Sequence, residues 1–171
     1  GLFAMERQHN RAEAESHWNT AEAFAGDQAD VYQNLSRFFL AIGESTRALA
    51  ACHKVLELVP DEGDSYANLA DVQLEMRDTL GAVTHYEKGL AISGFLSSTQ
   101  YLTLANIYKQ QGDASRAVLF YRYALAVQPS NPLGWATLAS AYVKLGDLQR
   151  AEFSNKKALQ FDPGFAAAHG N

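Results

Sequence analysis

The side chains that could carry chemistry here are five histidines and one cysteine, and their spacing assembles no catalytic site. The histidines are isolated from one another, and no H-E-x-x-H or similar metal-binding pair occurs. The sequence also lacks a nucleophile elbow, a P-loop and a dinucleotide-binding glycine motif. Cys52 cannot form an internal disulfide, and we predict that it is a small buried hydrophobe. We therefore predict no catalytic residue, no metal and no cofactor, and structural or surface roles for His9, His17, His53, His85 and His169.

Composition narrows the class of protein further. The chain has 171 residues, of which 47% are hydrophobic and 19% are charged, as in ordinary folded proteins. Its net charge of −5 argues against nucleic acid as a partner, because binding to phosphates needs a basic face. It contains no apolar run of about 18 residues, so we predict no membrane insertion. The single cysteine fits a reducing compartment, and we expect a cytoplasmic protein.

A period of 34 residues runs through the chain, whose length is close to five such periods. Four copies in register cover residues 29–62, 63–96, 98–131 and 132–165. In each copy similar residue types recur in the same order. The order is an aromatic residue, Leu followed by a small residue, a second aromatic, Gly, Ala, a third aromatic, Ala-Leu and finally Pro. The third copy carries every member of the series: Tyr101, Leu104, Ala105, Tyr108, Gly112, Ala117, Tyr121, Ala124, Leu125 and Pro129.

This pattern resembles the tetratricopeptide repeat (TPR) family. The resemblance implies an all-α fold, a right-handed superhelix (α-solenoid) in which each repeat is an antiparallel pair of helices, A and B. Residues 1–28 then form a partial repeat, mainly its helix B, and 166–171 begin a further helix A. Small residues of helix A should face alanines of helix B and let the two backbones approach closely. The paired positions are Ser36 and Ala48, Ala70 and Ala82, Ala105 and Ala117, and Ala139 and Ala151.

Turn and cap residues separate the predicted helices. We predict positive φ at Gly43, Gly112 and Gly146, because glycine accommodates a helix end of that conformation. Aspartates that follow the turn are predicted to cap helix B, and Asn131 with Pro132 to begin helix A of the fourth copy. The departures cluster in the second copy, where Arg77, Gln73, Gly89 and Gly94 replace the usual residues and one extra residue follows. We predict irregular stacking near residue 97.

The resemblance to TPR proteins also implies a function, because their concave groove, lined by the A helices, commonly binds a peptide. We expect a protein or peptide ligand there. The second copy contributes acidic side chains and the later copies contribute lysines, so a peptide with separated charges could be oriented. The predicted binding residues are Asn34, Arg37, Asn68, Asp71, Glu75, Thr103, Asn106, Lys109, Thr137 and Lys144.

Two TPR subfamilies offer more specific hypotheses. The chaperone-binding carboxylate clamp is rejected, because only Asn68 matches its slots and the nearby Asp71 and Glu75 would repel a terminal carboxylate. The N-L-A motif of O-GlcNAc transferase-type superhelices is similar to Asn34-Leu35-Ser36 and Asn68-Leu69-Ala70. In that subfamily an asparagine ladder holds the peptide backbone. Thr103 and Thr137 occupy the same slot in the later copies, so half of the ladder is present.

Three functional hypotheses follow, and the first is a non-catalytic protein–protein interaction scaffold. The alternative is the substrate-recruiting TPR region of a larger enzyme, such as an O-GlcNAc transferase-like glycosyltransferase. A third is an oligomerisation module, in which open solenoid ends pack on another copy of the chain. Apolar residues near both ends, Leu2, Phe3, Met5, Phe161 and Phe165, favour either continuation of the repeats or such a homo-oligomer.

Overall fold

The computed structural model describes residues 16, 17, 19–21, 23, 24 and 26–164. Within these residues the fold is all-α, and the described residues of 16–24 are helical. Eight complete helices follow them. They are α1 (Ala29–Ala41), α2 (Ser45–Leu58), α3 (Gly63–Glu75), α4 (Thr79–Ser93), α5 (Ser98–Gln110), α6 (Ala114–Val127), α7 (Pro132–Lys144) and α8 (Leu148–Phe161).

Consecutive helices pack as the pairs α1–α2, α3–α4, α5–α6 and α7–α8, and each pair lies inside one 34-residue frame of the sequence. The exact boundaries of the repeats stay a prediction. At the centre of every pair, the small residues predicted to face one another are buried. Ser36 and Ala48 lie in the first pair, and Ala139 and Ala151 lie in the last. Small side chains at these positions let the helix axes approach, so the larger apolar residues can close around them.

The chain divides into two compact units, an N-terminal unit (Gly1–Gly94) and a C-terminal unit (Phe95–Asn171). In the N-terminal unit α2 also packs on α3, and α1 touches α3. In the C-terminal unit α6 packs on α7. The boundary between the units lies in the segment where the extra residue occurs. There, Gly94 ends α4 with a φ of +70°, and Ser97 caps α5 in a capping box with Gln100.

The turns between paired helices confirm the prediction of positive φ. Gly43, Gly112 and Gly146 have φ values of 82°, 82° and 76°. In each turn this residue and its successor donate backbone hydrogen bonds to the last turn of helix A, as in a Schellman motif. Arg77 adopts the same conformation with a φ of 62°, although it is not glycine. The second turn therefore keeps its shape at the cost of backbone strain.

The predicted helix caps are also largely confirmed. The side chains of Asp78, Asp113 and Asp147 accept hydrogen bonds from backbone N–H groups in the first turns of α4, α6 and α8. Asn131 caps α7 in the same way, and Pro132 is its first residue. Glu44 makes no side-chain cap for α2, as expected of a poorer capping residue.

Glycine at position 89, where the repeat usually has Ala, follows from a close approach of two helices. A Cβ atom added to Gly89 would lie 2.6 Å from the carbonyl oxygen of Gly63, and one added to Gly63 would lie 2.6 Å from the carbonyl oxygen of Gly89. The start of α3 therefore meets the end of α4 backbone to backbone, which only two glycines permit.

Several predictions lie outside the described residues. These concern the greater part of the partial first repeat, the further helix A at 166–171, and the side chains of Leu2, Phe3, Met5, His9, Phe165 and His169. Among the helices that are described, none has both the length and the apolar character that a membrane crossing would need.

Candidate partner-binding surfaces

The predicted binding residues fall into two groups, one in each unit. We call Asn34, Arg37, Asn68, Asp71 and Glu75 the first surface; they lie on α1 and α3. Asn34, Arg37 and Glu75 are exposed, and Asn68 and Asp71 are half-buried. Because α1 and α3 touch each other, these side chains belong to neighbouring A helices of one unit.

Asn68 differs from the other members of the first surface. Its Nδ2 atom is buried and has no hydrogen-bond partner among the described residues. A buried donor without an acceptor costs about 1–3 kcal/mol of stability. The corresponding side chain of α1, Asn34, is exposed to solvent and bears no such cost. Asn68 therefore holds an amide donor that no described residue satisfies.

Asp71 is held in place from helix B of its own repeat. The hydroxyl of the buried Tyr86 donates a hydrogen bond to the Oδ1 atom of Asp71. Burial, together with the negative charge of Asp71, raises the pKa of Tyr86 above its ordinary value, so this phenol stays protonated. The donated bond orients the carboxylate.

The second surface consists of Thr103, Asn106 and Lys109 on α5 and Thr137 and Lys144 on α7. Asn106, Lys109 and Lys144 are exposed, whereas the two threonines are half-buried. Lysine is the only charged residue type among these five, in contrast to the mixed charges of the first surface.

Asn106 is positioned in the same manner as Asp71. The Tyr121 hydroxyl donates a hydrogen bond of 2.5 Å to the Oδ1 atom of Asn106. Burial raises the pKa of Tyr121 to about 12, against which a hydrogen bond involving Thr137 acts weakly. The amide nitrogen of Asn106 then points its two donors elsewhere, because the oxygen is already engaged.

Thr137 uses its hydroxyl within its own helix. The Oγ1 atom lies 2.9 Å from the carbonyl oxygen of Leu133 and 3.0 Å from that of Gly134. These contacts, together with the interaction with Tyr121, already engage the hydroxyl of Thr137. Thr137 is for this reason a weaker counterpart of Asn68 than position alone suggested.

One polar cluster beside the first surface was absent from the predicted binding residues. Gln33 on α1 donates hydrogen bonds to the Glu62 carboxylate at 2.5 Å and to the Ser65 hydroxyl at 3.3 Å. Ser65 in turn donates to Glu62. The cluster ties α1 to the start of α3. In the sequence, Gln33 and Glu62 are 29 residues apart, and their contact can be predicted only when the packing of α1 on α3 is known.

The histidines and the cysteine take structural or surface positions where they are described. His17 and His53 are exposed. The Nδ1 atom of His85 donates to the Gln73 side-chain oxygen at 2.7 Å and lies 3.0 Å from the carbonyl oxygen of Gly81. Within the described residues, no three His, Cys, Asp or Glu side chains come together as a metal site. Burial raises the pKa of the Cys52 thiol to about 11, so the reactive thiolate is suppressed.

One ring in the third copy, Phe120, lies outside the predicted aromatic series. It lies between Tyr101 and Tyr108, with centroid distances of 6.3 Å and 5.5 Å. In the second copy, His85 occupies the equivalent position and stacks on Tyr66 at 6.1 Å. In the first and fourth copies that position holds the small residues Ala51 and Ser154.

Comparisons with known proteins agree with this architecture. Residues 108–171 match the family model of the tetratricopeptide repeat. The Hsp70-Hsp90 organizing protein of Triticum aestivum is 36% identical over 80 residues, which are 47% of this chain and 14% of the wheat protein. The crystal structure of YrrB, described as a TPR protein with an unusual peptide-binding site, superposes with a TM-score of 0.79. It shares 20% identity, and the match covers 88% of this chain and 77% of YrrB.

A second solved structure, that of MamA, has a TM-score of 0.77 at 16% identity and covers 92% of this chain and 93% of its own. With the helix pairs, glycine turns and buried small residues already described, these matches identify the fold. Residues 108–171 therefore carry tetratricopeptide repeats, and the described helix pairs have the fold of the TPR protein YrrB. The chain spans only about a seventh of the length of the wheat protein.

Proposed function

We propose that the A-helix side of this chain binds an extended segment of a partner protein, with Asn68 as the central contact. The observation that carries the proposal is the buried Nδ2 atom of Asn68, a donor without an acceptor among the described residues. A backbone carbonyl of a bound peptide would provide that acceptor once the half-buried Asn68 side chain turned its amide toward the surface. In exchange it would remove the desolvation cost that the unliganded protein bears.

Asn34 supports the same reading because it is the equivalent residue of the neighbouring A helix. An asparagine side chain can donate to and accept from one peptide unit at once. Two such side chains on adjacent helices could therefore hold two peptide units of one extended strand. The Tyr86 hydroxyl fixes the Asp71 carboxylate beside them, which favours a partner with a cationic or amide donor at that point.

The second surface supports binding of a different side-chain chemistry. Asn106 is oriented by Tyr121, and Lys109 and Lys144 are exposed on the same A helices. These groups favour acidic side chains in the bound segment. Each surface is proposed on the contacts of its own unit.

The name of the wheat relative raises the question of a carboxylate-terminated chaperone peptide. The residues here argue against that ligand, since acidic Asp71 and Glu75 flank Asn68 on α3. Gln33, beside Asn34 on α1, already donates its side-chain hydrogen bonds to Glu62 and Ser65. We therefore propose an internal peptide segment as the ligand. We further propose a cytoplasmic location, which the single reduced and buried cysteine supports.

Selection of peptides from a random library, followed by fluorescence anisotropy with the selected sequences, tests the proposal. The double variant Asn34→Ala/Asn68→Ala should lose two amide-to-peptide hydrogen bonds of about 1 kcal/mol each, which weakens binding about 30-fold. The melting temperature should stay within about 2 °C or rise, because the unpaired donor of Asn68 is removed.

The matched control is His53→Ala, an exposed residue of α2 on the helix B side. It should bind selected peptides like the unaltered chain. If the double variant keeps full affinity for every selected peptide, the asparagines are not the contact. If selection yields only peptides that require a free C-terminal carboxylate, the proposed internal segment is wrong.

A further inference from the structure

Helices α6 and α8 of the C-terminal unit carry large apolar side chains that are exposed to solvent. Leu119, Tyr123 and Val127 follow one another at intervals of four residues, so they lie on one side of α6. Phe153 and Phe161 of α8 occupy the repeat positions of Leu119 and Val127, and both are exposed. We call these five residues the B-helix face. Single exposed apolar residues are ordinary, whereas a contiguous apolar surface marks an interaction site.

An open depression joins the two helices. It is lined by residues of α6, α7 and α8, among them Ala126, Trp135 and Phe153. Ala126 follows Leu119 by seven residues, or two helical turns, and therefore lies on the same side of α6. Trp135 is half-buried, and its ring meets that of Phe153 edge to face with the centroids 6.2 Å apart. The apolar residues of α6 and α8 thus continue into one another across the depression.

The N-terminal unit has the same helix pairs but not this face. The repeat position of Leu119 and Phe153 holds Ala50 in α2 and Thr84 in α4. The position of Tyr123 holds lysine in both of those helices. Packing of the helix pairs therefore does not require large apolar residues at these positions, and their presence on α6 and α8 has another cause.

The charges beside the B-helix face are basic. The charged residues that line the depression are Arg122 and Arg150. Residues 95–171 carry seven Lys and Arg but four Asp and Glu, and three of those four acids, Asp113, Asp147 and Glu152, pair with a Lys or Arg. No described residue forms an ion pair with Arg122. The electrostatic complement of this face is therefore acidic.

The face offers few hydrogen-bond partners to the backbone of an extended peptide. The backbone groups of α6 and α8 are bonded within their own helices. The Ser154 hydroxyl donates to the Arg150 carbonyl oxygen at 2.7 Å, and the Trp135 indole N–H donates to the Pro129 carbonyl oxygen at 2.7 Å. An extended segment would therefore bury unpaired backbone groups here, whereas a helix satisfies its own. An apolar groove between helices is the kind of surface that takes the apolar side of an amphipathic helix.

We propose that the B-helix face binds an acidic amphipathic helix of a partner protein. Its apolar side packs on Phe153, Leu119 and the other apolar residues of the face. Its acidic side chains lie toward Arg122, whose guanidinium can hold a carboxylate through two parallel hydrogen bonds. This face shares no residue with the first or the second surface, so one chain could hold two partner segments of different form.

Phage selection on the full chain from two libraries of helical peptides tests the proposal. Both libraries use a frame of about four turns, which matches the length of α6 and α8, with varied apolar residues on one side. The other side carries glutamate in one library and lysine in the second. The glutamate library should yield binders and the lysine library none. Fluorescence anisotropy then measures the affinity of the selected glutamate helices.

Two variants test the proposed contacts. Phe153→Ser should weaken binding of the selected helices at least about tenfold, because an aromatic anchor is lost. Arg122→Glu should also weaken it at least about tenfold, because a like charge then faces the glutamates. The melting temperature reports whether Phe153→Ser folds, and the exposed Arg122→Glu decides the matter where it does not.

Leu148→Ser is the matched control, since it removes an exposed apolar residue of α8 that does not line the depression. This variant and Asn34→Ala/Asn68→Ala should both bind the helices like the unaltered chain. Equal yields from the two libraries, no binder from either, full affinity in folded Phe153→Ser, or loss of affinity in the asparagine variant would overturn the proposal. A concentration-dependent dimer that Phe153→Ser abolishes would assign the face to a second copy of the chain and overturn it as well.

Discussion

Replacement of Arg77 by glycine should stabilise this protein, although it removes a charged side chain and adds no contact. Arg77 ends helix A of the second repeat with a φ of 62°, where the other three repeats have glycine. For an L-residue the left-handed conformation costs about 1–2 kcal/mol. Glycine avoids that cost but loses about 0.5–1 kcal/mol more conformational entropy on folding. The balance predicts that Arg77→Gly raises the free energy of unfolding by about 1 kcal/mol.

The side chain of Arg77 does not offset this balance. It is exposed, and none of the described residues forms an ion pair or a hydrogen bond with its guanidinium. The backbone bonds of the turn are already those of the glycine-containing repeats, with the Arg77 N–H bonded to the Leu74 carbonyl at 2.9 Å and the Asp78 N–H bonded to Gln73 at 2.8 Å. The substitution therefore changes only the local conformational preference.

Urea unfolding followed by circular dichroism measures the effect, and the reverse change provides its control. Gly112 has a φ of 82°, and a Cβ atom there would meet nothing within 4 Å. Gly112→Arg should therefore lower the free energy of unfolding by about 1 kcal/mol through the backbone alone. In a cooperative transition of the whole chain, each change corresponds to about 2–4 °C in Tm. A lower free energy of unfolding in Arg77→Gly would refute the reasoning, because relief of the backbone strain would then be smaller than the entropy cost of glycine.

Two further predictions concern the N-terminal unit. Gly89→Ala should lower the free energy of unfolding by about 1–3 kcal/mol, because its Cβ would lie 2.6 Å from the Gly63 carbonyl oxygen. Gly89 has no positive φ, so the measurement reports the clash alone, and an equally stable Gly89→Ala would contradict the close approach. Cys52 should react with a thiol reagent at pH 8 only as fast as the fold opens. Because burial raises the thiol pKa to about 11, the free energy of unfolding should decline as pH rises from about 9 toward 11. Cys52→Ala should lack this decline. Rapid labelling of the native chain, or the same decline in Cys52→Ala, would count against the burial argument.

Much of the fold could be predicted from the sequence, because the same pattern of residue types recurs in several copies of the repeat. Each copy places a small residue opposite an alanine, and three of the four place a glycine at the turn, so the period stays visible despite individual departures. Where a departure is local, its consequence was also foreseeable. Glu44 is a poor cap by its side-chain length, and no cap bond forms.

The candidate surfaces were less accessible to such reasoning, because a polar residue on a helix face does not reveal its partner. Asn68 and Thr137 occupy the same repeat position, yet one amide nitrogen is left without a partner while the other side chain bonds to its own helix. Asp71 and Asn106 also share a position, and both are oriented by a tyrosine 15 residues later. These tyrosines belong to the helix pattern, but the direction of their hydroxyls follows only from how the two helices of a pair are placed.

The sequence by itself determined the helical class, the 34-residue order of the helices, the glycine turns and the small residues at the centre of each pair. These features depend on local backbone preference and on the size of side chains at fixed spacing, which are readable in one dimension. Only the tertiary structure decided where unpaired groups remain. Asn68 is an ordinary polar residue in the sequence, and its Nδ2 atom is buried without a hydrogen-bond partner among the described residues. Whether a polar atom finds a partner depends on several neighbours at once, so no single repeat position could predict it.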